Sequence, residues 1–167
     1  QAGIYLMAET NLETHGSWLK QGVIEPSWNV PGSIGCWRGC TLDRAVSNFE
    51  SFKNHVSVLF WSLGNESYAG DILVGKMNRY YKEKDPDRLV HYEGVAENRP
   101  YEDLISDMES QMYAPPEKIK EYLENNPKKP FILCEYMHDM GNSLGGMESY
   151  IRLLDQYEDY QGGFIWD

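Results

Sequence analysis

Val56-Ser57-Val58-Leu59-Phe60-Trp61-Ser62-Leu63 runs directly into Gly64-Asn65-Glu66. The first eight residues are nearly apolar throughout, with no alternation between polar and apolar positions. A strand of this kind needs both faces buried, as in a parallel sheet covered by helices. It ends in a polar triplet, so the Glu66 carboxylate is expected to emerge at the rim of that sheet.

The neighbouring segments repeat the pattern. Gly3-Ile4-Tyr5-Leu6-Met7-Ala8 is an earlier apolar run, followed by a polar loop from Thr14 to about Gly39. Leu42, Ala45, Val46, Phe49 and Phe52 fall at helical spacing and predict a helix to Lys53. A second helix is expected from Ile72 to Glu83, ending before the turn signal Asp85-Pro86-Asp87. Leu89-Val90-His91-Tyr92 reads as a short strand. Leu104 to Met112 reads as a weaker one, interrupted by Asp107 and Glu109. Pro115-Pro116-Glu117 opens a helix to about Asn125. Pro130 to Cys134 is a strand, Gly146 to Gln156 a helix, and Gly162 to Trp166 a final strand.

Strands alternating with helices imply βαβ units and a parallel sheet, either doubly wound or closed into a barrel. Neither GxGxxG nor GxxxxGK[ST] occurs, which weakens a nucleotide-binding sheet. A barrel carries its chemistry at the C-terminal ends of its strands. Polar groups do cluster there: Glu9, Asn11, Glu13 and His15; Asn65 and Glu66; Glu93; Tyr113; Glu135 and His138; Trp166 and Asp167.

Composition narrows the function classes. Apolar residues make up 41% of the 167 and charged residues 25%, the mix of a globular domain with a core of its own. The net charge of −11 argues against nucleic acid or an anionic membrane as partner and fits a neutral substrate. Cys36, Cys40 and Cys134 form neither a disulfide framework nor a zinc-site spacing, so free thiols in a reducing, cytoplasmic compartment are expected. No signal peptide and no run long enough to cross a bilayer is found, although the chain opens on Gln1 rather than Met.

Glu66 and Glu135 are the sharpest pair, since glycoside hydrolysis needs two carboxyl groups, one as acid and one as nucleophile or base. A single Glu at a strand end otherwise serves a helix N-terminus or a salt bridge. Glu13 and His15, one residue apart, share a face if the segment is extended. They then either offer two ligands to one ion, Mg²⁺ rather than Zn²⁺, or form a hydrogen-bonded surface pair. Asn65 is either a sugar-hydroxyl donor or a turn residue. Tyr113 is either an orienting hydroxyl or half-buried packing, Trp166 either a stacking platform or core, and His138 either a sugar contact or a loop cap. His55 and His91 look structural, and Glu93 is a rim carboxylate without an assigned partner.

Four blocks together resemble glycoside hydrolase family 2, in its β-galactosidase branch. They are Asn11-Leu12-Glu13-Thr14-His15-Gly16, Trp61-Ser62-Leu63-Gly64-Asn65-Glu66-Ser67, Cys134 to Gly146, and Gln161-Gly162-Gly163-Phe164-Ile165-Trp166-Asp167. The resemblance implies a retaining double displacement on terminal β-D-galactosides, with Glu66 as proton donor and Glu135 as nucleophile. It implies Glu13, His15 and Glu66 as Mg²⁺ ligands, and Asn65, Tyr113, His138 and Trp166 along the galactose site. Val56 departs from the family's usual Pro, and Asp139 stands where Ala is common, which puts the His138 contact in doubt. The loop Gly16 to Gly39 looks like one variant among several.

An eight-unit barrel takes about 250 residues, roughly 31 per unit, so this length holds between five and six units. The resemblance therefore implies a (β/α)8 TIM barrel that is incomplete, with about six of eight units, strands three to eight. Residues 1–167 would be a single partial catalytic domain of a larger, homo-oligomeric multidomain enzyme. The family's upstream sugar-binding histidines, Na⁺ site and flanking β-domains would lie outside the chain. By itself such a chain is expected to be poorly active; the alternative is a truncated, non-catalytic barrel fragment. A third reading keeps the family and changes the sugar.

Overall fold

The structure is a computed structural model that describes residues 3–15 and 29–167. Residues 16–28, half of the expected loop from Thr14 to Gly39 and including the Gly16 that closes the first block, lie outside the described residues. The chain divides into two compact units, Gln1–Asp107 and Met108–Asp167.

In the first unit β1 (Leu6–Glu9), β2 (Val58–Ser62) and β3 (Leu89–His91) form a parallel sheet in sequential order. Helix α1 (Arg38–Phe52) connects the first two strands. A wide turn at Leu73–Asn78 leads into α2 (Arg79–Lys84), where a single helix was expected. There the Met77 amide reaches back five residues to Ile72 O. Apolar periodicity cannot distinguish that winding from an ordinary helix.

Trp61 of the central strand is fully buried, stacked on Tyr81 with ring centroids 5.3 Å apart and flanked by Phe49 at 5.4 Å. A buried indole needs a partner for its N–H. Asp85 Oδ2 accepts that bond at 3.0 Å and is itself held by Arg88 at 2.7 Å. The expectation that both faces of this strand are buried holds at Val58, Trp61 and Ser62. It fails at Leu59, which is exposed, and at Phe60, which is half-buried.

In the second unit β4 (Glu109–Gln111), β5 (Phe131–Tyr136) and β6 (Tyr160–Ile165) form another sequential parallel sheet. Helices α4 (Pro116–Glu124) and α5 (Met147–Gln156) connect them. Leu133, Ile119, Phe131, Tyr136, Leu153 and Tyr160 make its core. The expected strand from Leu104 to Met112 is corrected. Its first part is a helical turn, α3 (Glu102–Ile105), and only Glu109–Gln111 is strand. The polar pair Ser106-Asp107 ends the apolar run, and Asp107 turns back to accept the Val90 amide at 2.7 Å.

His91 confirms its structural reading. It is fully buried, with Nδ1 3.2 Å from Ser62 Oγ. Burial pushes its imidazole from the usual 6.5 down to about 3. The folded state therefore binds the proton more weakly than the unfolded chain does. The resulting stabilisation is complete above pH 6.5 and is lost as the pH falls toward 3, an effect of roughly a few kcal/mol. Denaturant midpoints at pH 7, 5.5 and 4 should fall more steeply for the parent protein than for His91→Gln. Parallel curves would remove His91 from acid unfolding.

Candidate active site

Each unit gathers its chemistry-bearing side chains at the C-terminal ends of its own three strands. In the first unit, Gly64 follows β2 with φ 135°. A Cβ at this position would lie 2.6 Å from Leu12 O and 2.9 Å from Leu12 Cβ, so only glycine permits the approach. The close approach lets the Asn65 amide donate to Leu12 O at 2.8 Å and sets Glu13 opposite Asn65 in a parallel bridge.

Glu66 comes next, in the left-handed region at φ 41°. Its Oε2 lies against His15 Nδ1, and His15 Nδ1 is 3.7 Å from Glu13 Oε1. One ligand atom from each of Glu13, His15 and Glu66 falls within 4.8 Å of the others. Glu13 and His15 are more than half exposed, whereas the Glu66 side chain is 17% exposed. Two carboxylate oxygens and one imidazole nitrogen at this spacing suit a single small divalent cation, and the oxygen majority favours Mg²⁺.

The sequence left Glu93 without a partner, and the structure supplies one. Glu93 is 3% exposed, just beyond β3, and its Oε1 accepts the backbone N–H of Glu66 at 2.6 Å. Burial pushes its carboxyl up to about 8, aided by the nearby Glu97, Glu66 and Glu9 carboxylates and opposed by that amide bond. The signal available in sequence was placement alone: Tyr92-Glu93 ends its strand as Asn65-Glu66 ends the neighbouring one.

In the second unit Glu135 lies at the end of β5, and the Tyr113 hydroxyl donates to its Oε2 at 2.7 Å. Tyr113 follows β4 at φ 50°, and its amide donates to Glu135 O at 2.7 Å. His138 and Trp166 stack with ring centroids 4.1 Å apart and an interplanar angle of 9°. The Asp139 amide bonds to Trp166 O at 2.8 Å, which ties the two loops together. Trp166 is 36% exposed at the end of β6. Tyr113 stands 6.1 Å from His138, centroid to centroid. Of the expected site residues, Glu13, His15, Asn65 and Glu66 are thus neighbours in the first unit. Tyr113, Glu135, His138 and Trp166 are neighbours in the second.

A family model described as the TIM barrel domain of glycosyl hydrolases family 2 matches residues 1–167. The chain is 72% identical over its whole length to the beta-galactosidase large subunit of Latilactobacillus sakei, of which it covers 27%. It is 64% identical over its whole length to the beta-galactosidase large subunit of Lactobacillus acidophilus, of which it covers 26%. It therefore spans about a quarter of the length of these curated relatives. A solved Ruminococcus gnavus beta-glucuronidase matches 95% of this chain and 33% of its own, with a TM-score of 0.57 at 16% identity, a likeness of fold alone.

Proposed function

The chain belongs to glycosyl hydrolase family 2, and on that premise we propose that it forms part of the catalytic barrel of a retaining enzyme acting on terminal β-D-galactosides. One observation carries the reading. Glu66 and Glu135 each lie at the C-terminal end of the central strand of a three-stranded parallel sheet, and each carboxylate is held by a neighbour, His15 or Tyr113. The similarity to beta-galactosidase large subunits favours galactose as the sugar. The domain is a (β/α)8 barrel of which this chain supplies about six units, strands three to eight, within a larger multidomain protein. Its length relative to those relatives supports that reading.

In this reading Glu66 gives its proton to the glycosidic oxygen as that bond breaks, while a Glu135 carboxylate oxygen attacks the anomeric carbon. The sugar is then an ester of Glu135. Glu66, now a carboxylate, takes a proton from water as the water oxygen attacks the anomeric carbon and Glu135 leaves. Two inversions give net retention. The Tyr113 hydroxyl occupies one oxygen of Glu135 and leaves the other directed for attack. The His138–Trp166 ledge offers a flat face to the pyranose C–H groups, and Asn65 an amide to a sugar hydroxyl. Glu13, His15 and Glu66 would hold Mg²⁺, which when bound supplies positive charge beside the Glu66 carboxylate.

The deciding experiment follows early hydrolysis of an aryl β-galactoside by the full-length enzyme with proton NMR. β-Galactose is expected first; α-galactose first would sink the retaining mechanism. Aryl glucuronides and mannosides should be poor substrates, and a preference for either would move the enzyme to another sugar within the family. The 167-residue chain alone is expected to turn over little, since the β1 end leaves Ile4, Tyr5 and Leu6 exposed. Turnover near that of the full-length enzyme would refute this.

Tyr113→Phe tests the nucleophile's support. A hydrogen bond to a charged group contributes about 1.5–3 kcal/mol, so kcat should fall roughly 10- to 150-fold. If the full-length variant keeps its parent's kcat, the Tyr113–Glu135 bond does not act in the reaction.

A further inference from the structure

Glu93 is a buried carboxyl group at the floor of the first unit's cluster, and the mechanism above gives it no task. A carboxyl group is costly to bury, and a merely structural one is usually matched to a cation or a cap. Glu93 Oε1 instead accepts the amide of Glu66, the proposed proton donor. That amide belongs to a short segment whose backbone is held from one side. The Glu66 N–H goes to Glu93 Oε1 at 2.6 Å, the Ser67 N–H to the Tyr92 hydroxyl at 2.9 Å, and the Ala69 N–H to Asn98 Oδ1 at 3.1 Å. The Tyr92 hydroxyl donates in turn to Ser67 O. All three side chains come from the segment that follows β3.

Glu66 itself sits in the left-handed region, which a residue with a Cβ adopts only when its surroundings hold it there. The φ angle of residue 66 sets the direction of its Cα–Cβ bond, and that bond aims the carboxylate at His15. The Glu93 bond holds the peptide plane before residue 66 and the Tyr92 bond to the Ser67 N–H holds the plane after it, so together they restrain φ. We propose that Glu93 is a positioning residue: its carboxyl oxygen fixes the Glu66 backbone in the left-handed conformation that places the proton-donating carboxylate. The inference rests on the reading of Glu66 as acid/base, and the test separates the two.

The variants are Glu93→Gln, which keeps an acceptor oxygen, and Glu93→Met, which keeps the length and removes the acceptor. They are assayed in the full-length enzyme beside Glu66→Gln. Two β-galactosides with the same sugar are compared by kcat/KM: a dinitrophenyl galactoside, whose leaving group needs no proton, and methyl galactoside, whose leaving group does. Glu93→Met should lose at least about 30-fold on the methyl substrate, within the range of acid catalysis, and less than about threefold on the dinitrophenyl one. Glu93→Gln should stay within about threefold of the parent on both, since its amide oxygen accepts the same bond. A merely structural role predicts equal losses on both substrates, and that result overturns the proposal. So does an unchanged ratio in Glu93→Met while Glu66→Gln shifts it. If Glu66→Gln itself leaves the ratio unchanged, the reading of Glu66 fails instead. Should Glu93→Met not fold, Glu93→Asp, one methylene too short to reach the amide, decides by the same ratio.

Discussion

Glu135→Gln is expected to lower kcat by about 10⁴- to 10⁶-fold, the loss that follows removal of a covalent nucleophile. The substitution is nearly isosteric. An amide oxygen still accepts the Tyr113 hydroxyl, and Tyr136 and Leu133 keep their places in the core, so the strand end should survive. What disappears is the negative oxygen that forms the bond to the anomeric carbon. A 2-deoxy-2-fluorogalactosyl fluoride should add one sugar mass to the peptide carrying Glu135 in the parent enzyme and none in the variant. A label on any other carboxylate would overturn the assignment.

Glu66→Gln comes second, with a loss of about 10² to 10⁴-fold that depends on the substrate. An amide cannot give up a proton to a departing alkoxide, so methyl galactoside should bear the full loss. A dinitrophenolate leaves unaided, so formation of the ester should be almost unaffected. Breakdown of the ester also needs a base to take a proton from water, and for activated substrates that step should become limiting. Azide, which needs no base, should then restore turnover and yield β-galactosyl azide. Equal losses on every substrate with no effect of azide would refute the acid/base role.

The strand-end placement of the two glutamates was legible because each closes a run of apolar residues, Val58 to Leu63 and Phe131 to Leu133, that reads as strand. The pairing of Glu13 and His15 in one cluster was legible from their spacing in an extended segment. The grouping of Tyr113, His138 and Trp166 followed from their places at successive strand ends. Other features were not readable in the pattern beyond their placement. Glu93 bonds to a backbone amide, and an amide has no side-chain identity for a sequence to display. Residues Leu104 and Ile105 are as apolar as a strand requires, yet they form a helical turn, and Asp107 just beyond it is engaged with Val90 and Lys82.

The division at Asp107 and Met108 sorts the chemistry as well as the contacts. Every group read here as handling the leaving group, the proton donor, its amide anchor and the three-ligand cluster, precedes it. Within the chain, every group proposed to touch the sugar ring except Asn65 follows it, the nucleophile included. Recombination between relatives near this boundary would therefore exchange the proposed nucleophile and its tyrosine support as one block and leave the proposed proton donor with its own ligands and amide anchor.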